Sequence, residues 1–214
     1  MRVGVLGTGD VGRRLGSKLV ALGHDVMMGS RTSRNAKALE WAKASGARAS
    51  VGTFADAAKF GQVVFNCTAG AISLEALKQA GAKNLGGKVL VDVANPLDFS
   101  KGMPPTLTVC NTDSLGEQIQ RAFPDAKVVK ALNTMGNEVM VNPGLVPGEH
   151  DTFVCGNDPQ AKAKVVEILR AFGWKSPIDL GDITAARGLE MLLPVWVRLM
   201  ATLHTRNFNF KIAR

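Results

Sequence analysis

A short apolar run, Val3–Leu6, is followed at once by Gly7-Thr8-Gly9-Asp10-Val11-Gly12, and then by apolar residues at helical spacing, Val11, Leu15, Leu19 and Leu22. No other feature of the chain restricts its fold as much. The run reads as a buried strand, and the period after it is that of an amphipathic helix. A Gly-x-Gly-x-x-Gly between the two is the turn of a βαβ unit that binds a dinucleotide. Gly7 permits the tight turn, Gly9 has no Cβ to keep a pyrophosphate off the backbone, and Gly12 lets the helix pack close to the strand. The first N–H groups of such a helix have no partner within it, and the helix dipole adds partial positive charge. They form a site for phosphate oxygens, which places Thr8, Asp10 and Val11 in the binding turn beside the three glycines.

The second strand, His24–Met28, ends where a ribose-binding residue is due, and no acidic residue stands there. A site for NAD(H) places Asp or Glu roughly 20 residues past the fingerprint to accept from the ribose 2′-hydroxyl, and a carboxylate there repels a 2′-phosphate. This chain reads Gly29-Ser30-Arg31-Thr32-Ser33-Arg34. Two guanidiniums with hydroxyls between them suit a phosphate dianion, because arginine donates in a planar fork and the hydroxyls add shorter-range bonds. Ser30, Arg31, Thr32 and Arg34 are therefore expected to hold NADP(H). The other use of such a segment is a polar turn with Ser33 capping the next helix. Its place after the fingerprint favours the phosphate.

Composition narrows the function classes. At 46% hydrophobic and 21% charged residues, the chain has the makings of a globular protein with a sizeable core. Its net charge of +8 comes from 26 Lys and Arg against 18 Asp and Glu. The basic residues are scattered rather than gathered, with no nucleic-acid motif, so the charge fits attraction of anionic cofactors better than binding of nucleic acid. Cys67, Cys110 and Cys155 stand far apart, without a C-x-x-C pair or a histidine at ligand spacing, and are expected as buried thiols, with no metal site. The amino terminus enters the first strand directly and no apolar run reaches spanning length, so a cytoplasmic protein without membrane attachment is expected.

Along the rest of the chain, Asn35–Ser45 reads as a helix, Ala47–Val51 as a strand and Thr53–Phe60 as a helix begun by a threonine cap. Gln62–Cys67 is the next strand, Ser73–Ala80 a helix, and Lys88–Val93 a strand stopped by Asn95-Pro96. Leu97–Thr112 is a loop long enough to suggest a role. Ser114–Phe123 reads as a helix with a capping box from Ser114 to Glu117, Lys127–Leu132 and Thr152–Cys155 as strands, Pro159–Phe172 as an amphipathic helix, and Ser176–Leu180 as a last strand. Ile183–Leu203 is helical and ends in a polar-aromatic tail, Thr205–Phe210. The alternation predicts an α/β Rossmann fold: a doubly wound, mostly parallel sheet with a C-terminal strand and helical extension. Residues 1–181 are expected to form the NADP(H)-binding domain and 182–214 the extension. Leu189, Met191, Leu192, Leu193, Val195, Trp196, Leu199 and Met200 exceed one buried stripe, so a homodimer that covers them on a second side is expected.

In open sheets of this kind, ligands bind at the carboxyl ends of strands near the point where strand order reverses. Those ends supply Thr68-Ala69-Gly70, Ala94-Asn95-Pro96 and Asn133-Thr134-Met135-Gly136. Thr68, Ala69, Ala94, Asn95, Asn133, Thr134 and Met135 join the expected cofactor-binding set. No acid–base constellation is visible: His24, His150 and His204 are scattered, early in a strand, in a Pro/Gly-rich loop and near the C-terminus, and each is read as an ordinary polar residue, since a catalytic histidine needs an orienting partner and a cleft. No catalytic side chain is assigned. That absence fits direct hydride transfer, in which cofactors carry the chemistry and the protein orients them and excludes water.

With Gly7–Gly12, Gly29-Ser-Arg31, Val128-Val-Lys-Ala-Leu-Asn-Thr134, Cys155-Gly-Asn-Asp158, Asp179-Leu-Gly-Asp182 and Ala186-Arg-Gly-Leu-Glu190, the chain resembles the coenzyme F420-dependent NADP oxidoreductases over nearly its whole length. The cytosolic domains of membrane metalloreductases look similar in the same places. The resemblance implies hydride transfer between nicotinamide C4 of NADP(H) and C5 of a deazaflavin, in a cleft between the Rossmann domain and the C-terminal helices. It implies that Thr8, Ser30, Arg31 and Arg34 hold phosphates, that Ala69 lies beside the nicotinamide and that Leu132–Gly136 border the second ring system. Asp92–Thr112 and Asn133-Thr-Met-Gly-Asn137 look more like the broad bacterial branch than the archaeal enzymes. A flavin or metal chelate as acceptor, and a non-catalytic NADP(H)-binding redox sensor, are the alternatives.

Overall fold

The computed structural model describes residues 1–213 of the 214. Arg214, the last residue of the expected extension, lies outside the described residues. β1 (Arg2–Leu6), α1 (Asp10–Ala21), β2 (Asp25–Ser30), α2 (Ala36–Ser45), β3 (Ala49–Thr53), α3 (Phe54–Phe60) and β4 (Val63–Asn66) make the first half. α4 (Gly70–Ala80), the short α5 (Ala82–Leu85), β5 (Val89–Asp92), a hairpin of β6 (Leu97–Asp98) and β7 (Thr106–Leu107), α6 (Leu115–Ala122) and β8 (Lys127–Ala131) follow. α7 (Asn137–Val141), β9 (Phe153–Gly156), α8 (Pro159–Phe172), β10 (Ile178–Asp179), α9 (Ala186–Met191) and α10 (Leu193–Leu203) complete it.

Eight strands form one sheet in the order β10-β9-β8-β5-β4-β1-β2-β3. Every neighbouring pair is parallel except β8 and β9. This is the doubly wound Rossmann arrangement. β1, β4, β5 and β8 are buried on both faces, which their valine-rich sequences reflect. One core packs α1, α2, α7 and α8 against the sheet through Leu15, Trp41, Val139 and Val165. The other packs α3, α4, α6 and α9 through Ala57, Leu77, Ile119 and Leu189. From β1 the chain winds first toward β3 and then back through β4 toward β10, so the crevice between the carboxyl ends of β1 and β4 is the topological switch point.

Local signals set most boundaries. Thr53 and Asp56 close a capping box on α3, and Asp158 caps α8, which has Pro159 at its first position and left-handed Gly173 after its end. Four expectations need correction. The loop 97–112 holds the β6–β7 hairpin. Ser114 caps α6, but the Glu117 carboxylate does not close the box: it accepts from the Ser114 hydroxyl at 2.7 Å and from Arg187 of α9 at 2.8 Å. The helical segment 183–203 is broken at Leu192, because Pro194 has no N–H for an unbroken ladder and starts a new helix instead. Cys110 is exposed, while Cys155 is buried and Cys67 half-buried, because Cys110 lies in the turn that leads to α6.

Candidate functional site

The fingerprint glycines differ in what surrounds them. Gly7 has φ +115°, and its N–H bonds the Gly29 carbonyl at 2.9 Å, tying the turn to the end of β2. A Cβ on Gly12 would meet the Gly7 carbonyl oxygen at 2.1 Å, so close packing of helix on strand excludes one. Gly9 is extended, at φ −73° and ψ −176°, and a Cβ there would meet nothing within 4 Å. Nothing inside the protein demands glycine at that position. Gly9 is also the N-cap of α1 and offers no side-chain cap, so the first N–H groups of the helix, from Asp10 to Gly12, have no side-chain partner. The Asp10 carboxylate is drawn aside by Arg13, 2.6 Å away.

At the end of β2, the buried Ser30 hydroxyl donates to the Thr32 carbonyl at 2.5 Å, and the Thr32 hydroxyl accepts the Arg34 N–H at 3.0 Å. These bonds hold a tight turn that leaves Arg31 and Arg34 in solvent. Neither guanidinium has an ion-pair partner among the described residues. Ser33 is not the cap of α2; Asn35 is, accepting from the Ala38 N–H at 3.1 Å.

The three other strand ends converge. Asn95 and Asn133 exchange amide bonds, Asn95 Nδ2 to the Asn133 carbonyl and Asn133 Nδ2 to Asn95 Oδ1, both at 2.9 Å. Thr68 is buried and bonds Asn66 at 2.7 Å and Ser73 at 2.9 Å, while Ala69 is exposed at the rim. Gly70 packs against the Asn95 carbonyl, where a Cβ would stand 2.0 Å from the oxygen, so the β4 and β5 ends are held together. Ala94, Thr134 and Met135 are buried, and Met135 joins the core beside Val139. Their side chains support the edge from below. On the rim, the hairpin exposes Phe99 and Met103, and α4 exposes Ile72.

Beneath this edge lies a charged cluster that sequence reasoning missed: Asp92, Lys130 and Glu190, each at most 1% exposed. Burial alone would lower the Lys130 pKa, but Asp92 and Glu190 outweigh it and hold the ammonium above its ordinary value. Burial pushes the Glu190 carboxyl up. The available signal was a lysine inside an otherwise apolar strand, Val128-Val-Lys-Ala-Leu132.

After α10 the chain turns back. Phe208 stacks on Trp196 at 5.4 Å between ring centroids, and the Arg206 carbonyl lies close against Gly136. Asp151 anchors the end, accepting the Ile212 N–H at 2.7 Å, while His150 bonds the Pro143 carbonyl and Asn209. His150 is thus a structural residue. A groove of about 950 Å³ borders the expected site at Asp10 and runs between α1, α2 and α7, lined also by Arg13, Ser17, Trp41, Glu138 and Arg206. Among the described residues, no group of His, Cys, Asp and Glu could hold a metal ion, and no helix is long and apolar enough to cross a membrane.

Residues 2–96 match the family described as NADP oxidoreductase, coenzyme F420-dependent. The F420-dependent NADP reductase of Methanocaldococcus jannaschii is 30% identical, over 99% of this chain and 98% of its own length. Metalloreductase STEAP3 of Rattus norvegicus is 32% identical over 91% of this chain, which spans 38% of that protein. The crystal structure of a candidate F420-dependent NADP reductase from Arthrobacter sp. FB24 has a TM-score of 0.96 at 55% identity, with both chains covered in full.

Proposed function

This chain belongs to the coenzyme F420-dependent NADP oxidoreductase family, and from that premise we propose that it transfers a hydride between NADP(H) and coenzyme F420 across the edge where β1, β4, β5 and β8 end. The observation that carries the reading is the pairing, on one sheet edge, of an uncapped helix N-terminus open at Gly9 with two guanidiniums that have no partner of their own. The residues present fit a dinucleotide with a 2′-phosphate. When bound, NADPH supplies a hydride from nicotinamide C4, oxidised F420 takes it at C5, and a solvent proton completes the reduced deazaflavin. The N–H groups of Asp10, Val11 and Gly12 bind the pyrophosphate, with Thr8 beside them. Arg31 and Arg34 take the 2′-phosphate on a turn held by Ser30 and Thr32. Thr68, Ala69, Ala94 and Asn95 border the nicotinamide, and Asn133, Thr134 and Met135 the second ring. Residues 1–181 carry the nucleotide in this reading, and 182–214 wall the cleft and exclude water. The cytoplasm is its proposed location.

The test is direct: anaerobic NADPH is mixed with the protein and F420, FMN or a ferric chelate, and absorbance is followed. Stoichiometric loss of NADPH and oxidised F420 is expected, with F420 favoured over the other acceptors. Reduction of FMN or ferric chelate alone would replace F420 as acceptor. Tight NADPH binding without reduction of any acceptor would favour the redox sensor. The metalloreductase alternative is kept by the likeness to STEAP3 over most of this chain.

The reading includes a homodimer through α10. Only Leu193 and Val197 of that helix are buried, while Val195 and Leu203 are about half exposed. A second copy laid on this face would cover apolar surface that the chain's own core leaves in water. Light scattering should give twice the chain mass of 22.7 kDa, and Val195→Glu should return the monomer. A monomer for the unmodified protein at micromolar concentration would reject the dimer.

A further inference from the structure

One rung of the central sheet is polar where its neighbours are apolar. Asn66, Asp92 and Lys130 are register partners on β4, β5 and β8, all fully buried, at the last or next-to-last position of their strands. The rung faces α4 and α9 rather than the open edge, yet its bonds lead to that edge. The Thr68 hydroxyl donates to Asn66 Oδ1, and Asn66 Nδ2 donates to Asp92 Oδ1 at 2.8 Å. Lys130 Nζ donates to Asp92 Oδ2 at 2.7 Å, to Glu190 Oε1 at 2.7 Å and to the Ala94 carbonyl at 2.5 Å. All three ammonium protons are then used. Glu190 also accepts the Leu115 and Gly116 N–H groups at 2.8 and 3.0 Å, and the carbonyl of adjacent Leu189 takes the Asn133 amide at 3.1 Å.

A buried ion cluster is weak support for stability, since apolar residues of like volume often serve as well. Its distinct property is directional: it fixes where each partner stands. Here one ammonium holds the β5 strand end directly, through Ala94, and holds α9 through Glu190. α9 in turn holds the β8 strand end through Leu189 and Asn133. We propose that Lys130, with Asp92 and Glu190, is a positioning residue that fixes how the β5 and β8 ends stand relative to α9, and so the strand-end edge proposed to hold the nicotinamide against its partner ring. This rests on the placement of the nicotinamide proposed above.

The test compares Lys130→Met and Glu190→Gln with the unmodified protein in three measurements. Affinity for 2′,5′-ADP reads the phosphate end alone, the fluorescence gain of bound NADPH reads how firmly the nicotinamide is held, and turnover reads the reaction. Affinity for 2′,5′-ADP should stay within about twofold, the fluorescence gain should fall by roughly half or more, and turnover should drop roughly ten- to a hundredfold with little change in KM for NADPH, because a small misplacement is enough to lose reactive geometry. Unchanged fluorescence gain and turnover in both variants would overturn the proposal, as would equal loss of 2′,5′-ADP and NADPH affinity. Should Lys130→Met fail to fold, Glu190→Gln decides, since it leaves one ammonium facing one carboxylate. Absence of F420 turnover in the unmodified protein counts against the proposed acceptor, and the fluorescence gain then decides the positioning role.

Discussion

Replacing Arg31 and Arg34 together with alanine should weaken NADPH binding by roughly a hundredfold or more, while NADH affinity changes by less than about threefold. Each hydrogen bond to a charged group is worth about 1.5–3 kcal/mol, and the low end applies to guanidiniums that stand in solvent. Neither arginine has an ion-pair partner or a packing role to lose among the described residues, so the fold should be untouched. The same exposure makes the unmodified preference sensitive to salt, because interactions in water are screened beyond a Debye length. Fluorescence titration at low and high ionic strength measures both effects. The double variant should show a flatter salt dependence than the unmodified protein. Equal affinity of the unmodified protein for NADH and NADPH would remove the 2′-phosphate assignment altogether.

Features that depend on neighbours in sequence were the legible ones. The strand, glycine turn and helix from Val3 to Leu22 follow from local conformational demands, and so do the Thr53 cap and the helix that starts at Pro159. Where two local signals competed, reading was less sure. Ser33 and Asn35 are both good caps, and the structure uses Asn35 because its side chain reaches the Ala38 N–H. α7 has only five residues, too few to show a helical period between Gly136 and Pro143. The break at Leu192 follows from Pro194, whose effect inside an apolar helical run was masked by the hydrophobic pattern around it.

The candidate site divides along the same line. The end proposed for phosphate rests on local sequence, because a fingerprint and a nearby basic turn lie within one βαβ unit. Its other end is built from residues far apart in the chain: Asn66 and Asp92 are 26 positions apart, and Asp92 and Lys130 are 38. Their meeting depends on strand register, which no local spacing encodes. Charged residues inside apolar strands were the one hint, and they needed the fold to become a cluster. Asn95 and Asn133 were expected at the carboxyl ends of their strands from topology alone, but their mutual amide bonds follow only from the three-dimensional fold.

Gly9→Ala and Gly12→Ala should fail in opposite ways. At Gly12 the added methyl group would stand 2.1 Å from the Gly7 carbonyl oxygen, a backbone atom that cannot turn aside, so α1 must move off β1. Strain and lost packing at such a buried contact typically cost several kcal/mol, which lowers the melting temperature strongly and removes binding with it. At Gly9 the methyl group meets no protein atom within 4 Å, and the extended backbone there suits alanine. The melting temperature of Gly9→Ala should therefore fall by no more than about 5 °C, the loss coming from alanine being a poorer N-cap than glycine for α1. NADPH affinity should nevertheless fall by roughly a hundredfold or more, because the new methyl group occupies the approach of the pyrophosphate to the helix N-terminus. Calorimetry gives the stability and fluorescence titration the affinity for the same preparations. A Gly9→Ala protein that is stable and binds NADPH normally would mean that the pyrophosphate does not lie on this turn.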